Sequence, residues 1–291
     1  MKLDGRRESS NVEDRRGMST GAKAGIGGIG GIIIIALMTL LGGGDMSDVI
    51  NNVVQNGGLG MVQEEQAEGQ REFTEEEEAQ AKFCRQVLAS TEDVWGQVFQ
   101  QMGRKYAAPT LVLFTNAVNS ACGNATSAVG PFYCSGDQKL YIDISFFQQM
   151  ENQLGAKGEF ARAYVIAHEV GHHVENLLGI LGQAHAKMNQ QSKTEANKTS
   201  VRLELLADYY SGVWAHYENE FFGSLEVNDM KEAINCAHQI GDNYLQKQAQ
   251  GYVQPESFTH GTSEQRMKWL KLGYDTGNMS TSTFNVSEAD L

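Results

Sequence analysis

The chain is short of positive charge. Its 23 Lys and Arg stand against 36 Asp and Glu, giving a formal net charge of −13 and a pI near 5.0. Neutralising phosphates needs a cationic face, so nucleic acid is excluded as the main partner. Cysteine is scarce: Cys84, Cys122, Cys134 and Cys236 are the full set, and none forms a C-x-x-C pair. A cysteine zinc site is therefore not expected. No internal repeat is visible. Proline occurs three times, and each one punctuates a pattern: Pro109 ends a helical run, Pro131 sits in a Gly- and Ser-rich stretch, and Pro255 ends a helical series.

Residues 24 to 44 contain no charged side chain. At ~1.5 Å per residue a helix of that length measures roughly 31 Å, enough to cross a bilayer core. Lys2, Arg6, Arg7, Arg15, Arg16 and Lys23 precede it, and no Lys or Arg follows until Arg71. That asymmetry predicts a cytoplasmic N-terminus and an exported remainder, a single-pass protein of the inner (plasma) membrane facing the periplasm or exterior. The strongly apolar part, Ile32 to Leu41, also has the length of a signal-peptide core. The long charged front and the lack of an A-x-A site favour an uncleaved signal anchor. Gly27 and Gly31 match a helix-pairing spacing, but glycine-rich runs match it easily, and oligomeric state stays open. All four cysteines lie beyond this segment, where an exported domain can oxidise them. Cys122 with Cys134 would close a short loop. The three connectivities that four cysteines allow stay open, and Cys84 and Cys236 are candidates alongside them.

Four segments follow from composition: a polar cytoplasmic tail (1–23), the membrane span (24–44), a disordered acidic linker (45–80) and a folded domain (81–291). The linker reading rests on its Gly, Gln and Glu content, including Glu75 to Glu78, with too little apolar material to offset chain entropy. Helical periodicity begins at Ala81. Thr110 to Phe114 and Lys139 to Ile144 read as strands, and Cys122 to Ser135 as an irregular hairpin or edge. From Gly158 the pattern is helical through Gly179 or Gly182. A polar loop or ragged helix (187–200) follows, then helices over Val201 to Phe222 and Asn228 to Gln250, and a capped helix from Thr262 to Gly273 or Gly277. A few strands followed by a run of helices indicate an α+β fold with a small sheet.

His168-Glu169-Val170-Gly171-His172 is an H-E-x-x-H run. On a helix its two histidines share one face and can grip one metal ion, while Glu169 can reach a water on that ion. The segment is otherwise apolar, so three ionisable groups there are costly unless something pairs them. Glu204 and Asp208 form a second pair four residues apart, among Leu205, Leu206, Ala207 and Tyr209. Like charges at that spacing repel unless a cation lies between them and a neighbour. Glu204 completes a His, His, Glu set for one Zn2+, and Asp208 can accept the free ring N–H of a ligating histidine. His260, followed by Gly261, is the candidate for stabilising an oxyanion, with Tyr209 or Tyr210 as substitutes. The stretch Ser127 to Tyr133, with Gly130-Pro131, suits an unpaired edge that could hold an extended peptide.

H-E-x-x-H followed by E-x-x-A-D resembles the gluzincin metallopeptidases. Residues 81 to 277 resemble more closely the bacterial neutral zinc metallopeptidases, through CGNATSAVGPFYC, KLYIDISFF, HEVGHHVEN, ELLADYYSGVW and FTHGTSEQR in that order. The resemblance implies a zincin-like domain, with Glu204 as third zinc ligand and Asp208 behind the histidines. A metzincin is excluded, since Glu175 and Leu178 occupy its required Gly and third-His positions. The expected activity is a membrane-anchored zinc endopeptidase acting on protein or peptide, with Glu169 as general base. Two further readings are a non-catalytic zincin-fold scaffold or regulator in the cell envelope, and a hydrolase of a cell-wall amide.

Overall fold

Two strands with apolar residues on both faces form the centre of the molecule. A computed structural model describes residues 1–17 and 72–291. Strand β2 (Thr110–Phe114) pairs in parallel with β6 (Lys139–Asp143), Leu111 opposite Leu140 and Leu113 opposite Ile142. These four residues join the main helical core, while Val112, Phe114 and Tyr141 face a smaller one. The period of two thus buries both faces, as a central strand requires. β5 (Phe132–Cys134) lies antiparallel on the outer side of β6, and β1 (Val12–Asp14) lies parallel on β2, giving the order β1-β2-β6-β5. A hairpin of β3 (Ala117–Ser120) and β4 (Gly123–Thr126) covers the smaller core. A Cys122–Cys134 disulfide ties that hairpin to β5, and Cys84 and Cys236 are buried free thiols.

Eight α-helices are found among the described residues, and the first begins earlier than its sequence suggests. Helix α1 (Glu75–Gln101) starts inside the acidic run that composition assigns to a linker. Thr74 caps it, accepting from the Glu77 amide while the Glu77 carboxylate accepts from the Thr74 amide. Four glutamates in the first turn suit the positive end of the helix dipole. Helices α2 (Ser145–Leu154), α3 (Glu159–Leu177) and α4 (Ile180–Met188) follow. Helix α5 spans Lys193–Phe222, so most of the polar stretch before Val201 is regular helix, started by Ser192 as its cap. The expected single helix over 228–250 is two, α6 (Asp229–Gln239) and α7 (Asp242–Gln250), separated at Ile240-Gly241. A Cβ at Gly241 would lie 2.4 Å from the Ser263 amide nitrogen, so a neighbouring turn occupies that side of the break. Helix α8 (Ser263–Thr276) ends on Gly277 in the left-handed region.

Small residues let the site helices meet. α3 packs on α5, and a Cβ on Gly171 would stand 2.8 Å from the Ala207 carbonyl oxygen. Gly171 is thus where α3 meets the backbone of α5. Gly273, read as a possible helix end, is interior to α8, where a Cβ would meet the Tyr209 carbonyl at 2.0 Å.

The first seventeen residues are built into the domain and are not a free tail. β1 is one reason, and side chains supply others. The Met1 amine bonds Asp229 at 3.1 Å, and Arg6 donates to the fully buried Glu218 at 2.8 Å. Arg7 pairs with Asp93, Arg16 with Glu78, and Lys139 with Glu13, which also pairs with Arg15. Arg16 also stacks on Phe73, 4.1 Å from the ring centre, so the chain leaves and rejoins the domain at one place. The expected span, 24–44, lies outside the described residues, as do 18–23 and 45–71. No described helix is long and apolar enough to cross a membrane. One bilayer crossing between residues 17 and 72 would separate β1 from β2, so a cytoplasmic tail and an exported domain do not both fit this fold.

Two outcomes follow. Arg6→Ala leaves Glu218 with only the hydroxyls of Ser90 and Ser224, and urea unfolding should show a loss of about 2–3 kcal/mol. Gly171→Ala forces α3 from α5 and should cost about 1–3 kcal/mol, with reduced zinc content by metal analysis.

Candidate metal centre

Residues 168 and 172 are one turn apart on α3, so both imidazoles face α5, where Glu204 waits. His168 Nε2 lies 3.2 Å from Glu204 Oε2, and His172 Nε2 lies 3.4 Å from Glu204 Oε1. One donor atom from each of these three residues falls within 4.8 Å of the others. Tetrahedral bonds of about 2.0–2.1 Å imply donor–donor edges of roughly 3.3 Å, so the nitrogen–oxygen spacings suit one Zn2+. Two imidazoles with one carboxylate also suit zinc by softness and charge. The three residues could hold a metal without moving far.

Each ring is aimed by a buried carboxylate behind it. His168 Nδ1 contacts Asp208 Oδ1 at 2.8 Å, and His172 Nδ1 contacts Glu175 Oε2 at 2.9 Å. A carboxylate accepts only, so each Nδ1 carries a proton, and Nε2 is the atom a metal would take in place of the proton it shares with Glu204. Asp208 is the expected orienter. Glu175 is not among the sequence candidates, although its position three residues after His172, on the buried face of α3, is a readable signal.

Asp208 is itself held. Arg266, on the buried stripe of α8, donates Nε to Oδ2 at 2.8 Å and Nη2 to Oδ1 at 3.0 Å, and the Tyr164 hydroxyl donates to Oδ1 as well. Burial opposes ionising Asp208, but Arg266 and His168 outweigh it and bring the carboxyl down to about 2. Arg266 was legible only as the last letter of FTHGTSEQR. Its better signal is its place at 266, 269, 270 and 273, the spacing of the buried face that includes Trp269 and Leu270.

Electrostatics at the centre call for a cation. Burial works against a charged His168, but Asp208 and Glu204 overcome it and push the ring up to about 9. Burial likewise raises Glu204, yet His172 and His260 hold it well below the carboxylate range. Glu175 is pushed by burial up to about 7, with His172 opposing. A divalent ion at the Nε2 atoms would replace the shared protons. Glu169 lines the same cavity, 8 % exposed, its carboxyl raised by burial and partly offset by His168 and His172.

His260 reaches this cavity from the loop before α8. Asp242, at the start of α7, organises that loop: its Oδ2 accepts the amides of Thr259, His260 and Gly261 at 2.8, 2.8 and 3.0 Å. Its Oδ1 lies 3.1 Å from His260 Nδ1, so this ring too is fixed with Nε2 outward. The break between α6 and α7 is what places Asp242 there, and helical periodicity hides it. Tyr209 and Tyr210 do not line the cavity; Tyr209 donates to the Asn278 carbonyl at 2.7 Å and Tyr210 packs edge-on to Trp95. His173 is also turned away from His168, His172 and Glu204, with Nε2 donating to the Ala107 carbonyl at 2.7 Å and Nδ1 3.0 Å from the Tyr133 hydroxyl. The expected edge is real but shorter: Ser127–Val129 is a 3-10 turn, and only Phe132–Cys134 is strand.

Comparison with known proteins agrees with this geometry. The profile of the putative neutral zinc metallopeptidases matches residues 1–284. The uncharacterized protein YpfJ of Escherichia coli (strain K12) is 43% identical over 296 residues, covering 99% of this chain and 100% of the relative. The uncharacterized protein Rv2575 of Mycobacterium tuberculosis (strain ATCC 25618 / H37Rv) is 40% identical over 218 residues, covering 70% of this chain and 71% of the relative. No solved structure matches significantly. The profile match covers the N-terminal segment, the sheet and all residues of the site, and the chain belongs to the putative neutral zinc metallopeptidase family.

Proposed function

We propose that the protein is a zinc-dependent endopeptidase that hydrolyses peptide bonds in proteins or peptides, with Glu169 as general base. The observation that carries this reading is the convergence of two oriented Nε2 atoms and the Glu204 carboxylate beside a buried Glu169. Zinc bound to His168, His172 and Glu204 supplies a Lewis acid that brings the pKa of water from 15.7 to about 7. Glu169 takes a proton from the attacking water and delivers it to the leaving nitrogen. Burial, which raises its carboxyl, suits it to both halves of that transfer. Burial opposes charging His260, but Glu204 and Asp242 overcome it and raise its pKa; with Nδ1–H held by Asp242, the protonated ring presents Nε2–H to the carbonyl oxygen as negative charge develops there.

β5 gives the substrate a place to lie. It is an edge strand of the sheet among the described residues, and Tyr133 and Phe132 line the cavity. An extended peptide can add to such an edge by backbone hydrogen bonds. Export of the domain is supported by the Cys122–Cys134 disulfide, which needs an oxidising compartment. Residues 24–44 attach the protein to the membrane without a net crossing, so that residues 1–17 and the catalytic domain lie on one face of it.

The test of catalysis is Glu169→Gln. Zinc content should stay at wild-type level while hydrolysis of unfolded protein falls by about 10²–10⁴-fold. Retained turnover in that variant sinks the assigned role, and wild-type protein inert with zinc loaded would favour a scaffold. Glu175→Gln has a different signature. It leaves His172 without a carboxylate behind it, and competition with a chelator should show zinc affinity lower by about 10–100-fold.

A further inference from the structure

We infer that the protein binds a small organic anion at a second site, a hollow beside the end of the metal-binding helix where Arg104, Lys105 and Tyr106 receive a phosphate or carboxylate group. The hollow has a volume of about 460 Å³ and lies between the C-terminal half of α1, the loop that follows it and Asn11 of the N-terminal segment. It shares no lining residue with the metal cavity. Tyr106 is the link between them: its ring meets His173 edge-on at 5.9 Å, and His173 in turn contacts the Tyr133 hydroxyl.

The groups left over around this hollow are hydrogen-bond donors. Arg6, Arg7, Arg15, Arg16, Arg85 and Arg266 each answer a carboxylate. Arg104 instead donates Nη2 to the Leu177 carbonyl at 3.0 Å, and neither Arg104 nor Lys105 has a carboxylate partner among the described residues. The Tyr106 hydroxyl is buried and has no hydrogen-bond partner. A buried hydroxyl in that state is costly, and an oxyanion supplies the missing acceptor.

Nearby acceptors are already engaged. Glu92, the carboxylate in the lining, takes Arg7, the Ser9 hydroxyl and the Asn11 side-chain amide. The carbonyls of Val98, Phe99 and Gln100 take the amides of Met102, Arg104 and Gly103, so the negative end of α1 is capped. Charge at the hollow therefore favours an anion.

Gly96 supplies the room. It lies inside α1, where glycine weakens a helix, and packing does not demand it: a Cβ there would meet nothing within 4 Å. The space it leaves belongs to the hollow. A volume of about 460 Å³ exceeds what one phosphate fills and falls in the range of small-molecule sites, so the ligand has an organic body that lies against Gly96 and Ala108.

Zinc-loaded protein is titrated by calorimetry with phenyl phosphate, benzoate, inorganic phosphate and benzylamine, each with and without acetohydroxamate saturating the metal centre. Phenyl phosphate or benzoate should bind saturably at one site whether or not the hydroxamate is present, and the tighter of the two identifies the acidic group. Inorganic phosphate should bind more weakly for want of the ring, and benzylamine should not bind. Tyr106→Phe removes one hydroxyl and should weaken the aryl anion about 10–100-fold. Gly96→Leu fills the hollow with a better helix former and should abolish binding while Tm holds or rises. The site is overturned if neither aryl anion binds saturably, if benzylamine binds as tightly, if acetohydroxamate displaces the anion, or if both variants bind as wild type does.

Discussion

Backbone contact between α3 and α5 is the constraint from which the metal centre follows. Gly171 lies between the two histidines in sequence, and Ala207 lies between Glu204 and Asp208. The position of a Gly171 Cβ would be 2.8 Å from the Ala207 carbonyl oxygen. With the two helices this close, Glu204 reaches both Nε2 atoms, while Asp208, one turn further along α5, reaches His168 from the Nδ1 side. One helix thus supplies a metal ligand and the group that orients another ligand. A longer side chain at 171 would move both at once.

Burying so much charge demands a full set of partners. Asp208 has Arg266 and the Tyr164 hydroxyl, and Asp242 has three amides and a ring nitrogen, whereas Glu175 has His172 on Oε2 and no partner on Oε1. Glu204 differs. Its described partners are imidazoles that hold its carboxyl down through the protons on Nε2, while their Nδ1 protons go to carboxylates. Three donor atoms turned toward one point share protons that a divalent ion would replace. That is a stronger argument for a metal than the H-E-x-x-H spelling, which any amphipathic helix can produce.

The sequence makes legible what depends on spacing within one helix. His168, Glu169 and His172 share a face by periodicity, as do Glu204 and Asp208, and β2 is bounded as its apolar run implies. Groups brought in by tertiary contacts are harder to read. Asp242 follows a break that the helical pattern of 228–250 conceals, because only the packing of Gly241 against Ser263 shows why a break is there. Arg266 reads as a surface cation until Asp208 is known to lie beneath it. The N-terminal arginines mislead in the same way. Counting Lys and Arg assigns Arg6, Arg7, Arg15 and Arg16 to a cytoplasmic tail. Each instead pairs with a carboxylate, and a count of charge does not distinguish a basic tail from half of a set of ion pairs.

Anchoring of β5 bears on how the centre can be used. The disulfide at Cys134 ties one end of this strand to the β3–β4 hairpin, and the Tyr133 hydroxyl receives the Asn176 amide at 3.1 Å and sits 3.0 Å from His173 Nδ1. His173 and Asn176 directly follow the metal-binding turn on α3. The same helix therefore positions the histidines and the sheet edge that borders them. Burial keeps His173 below its ordinary pKa, so the neutral ring can accept from Tyr133 while donating to Ala107. A substrate strand laid along β5 would meet an edge already fixed to the helix that carries the reacting groups, with little ordering left to do on binding.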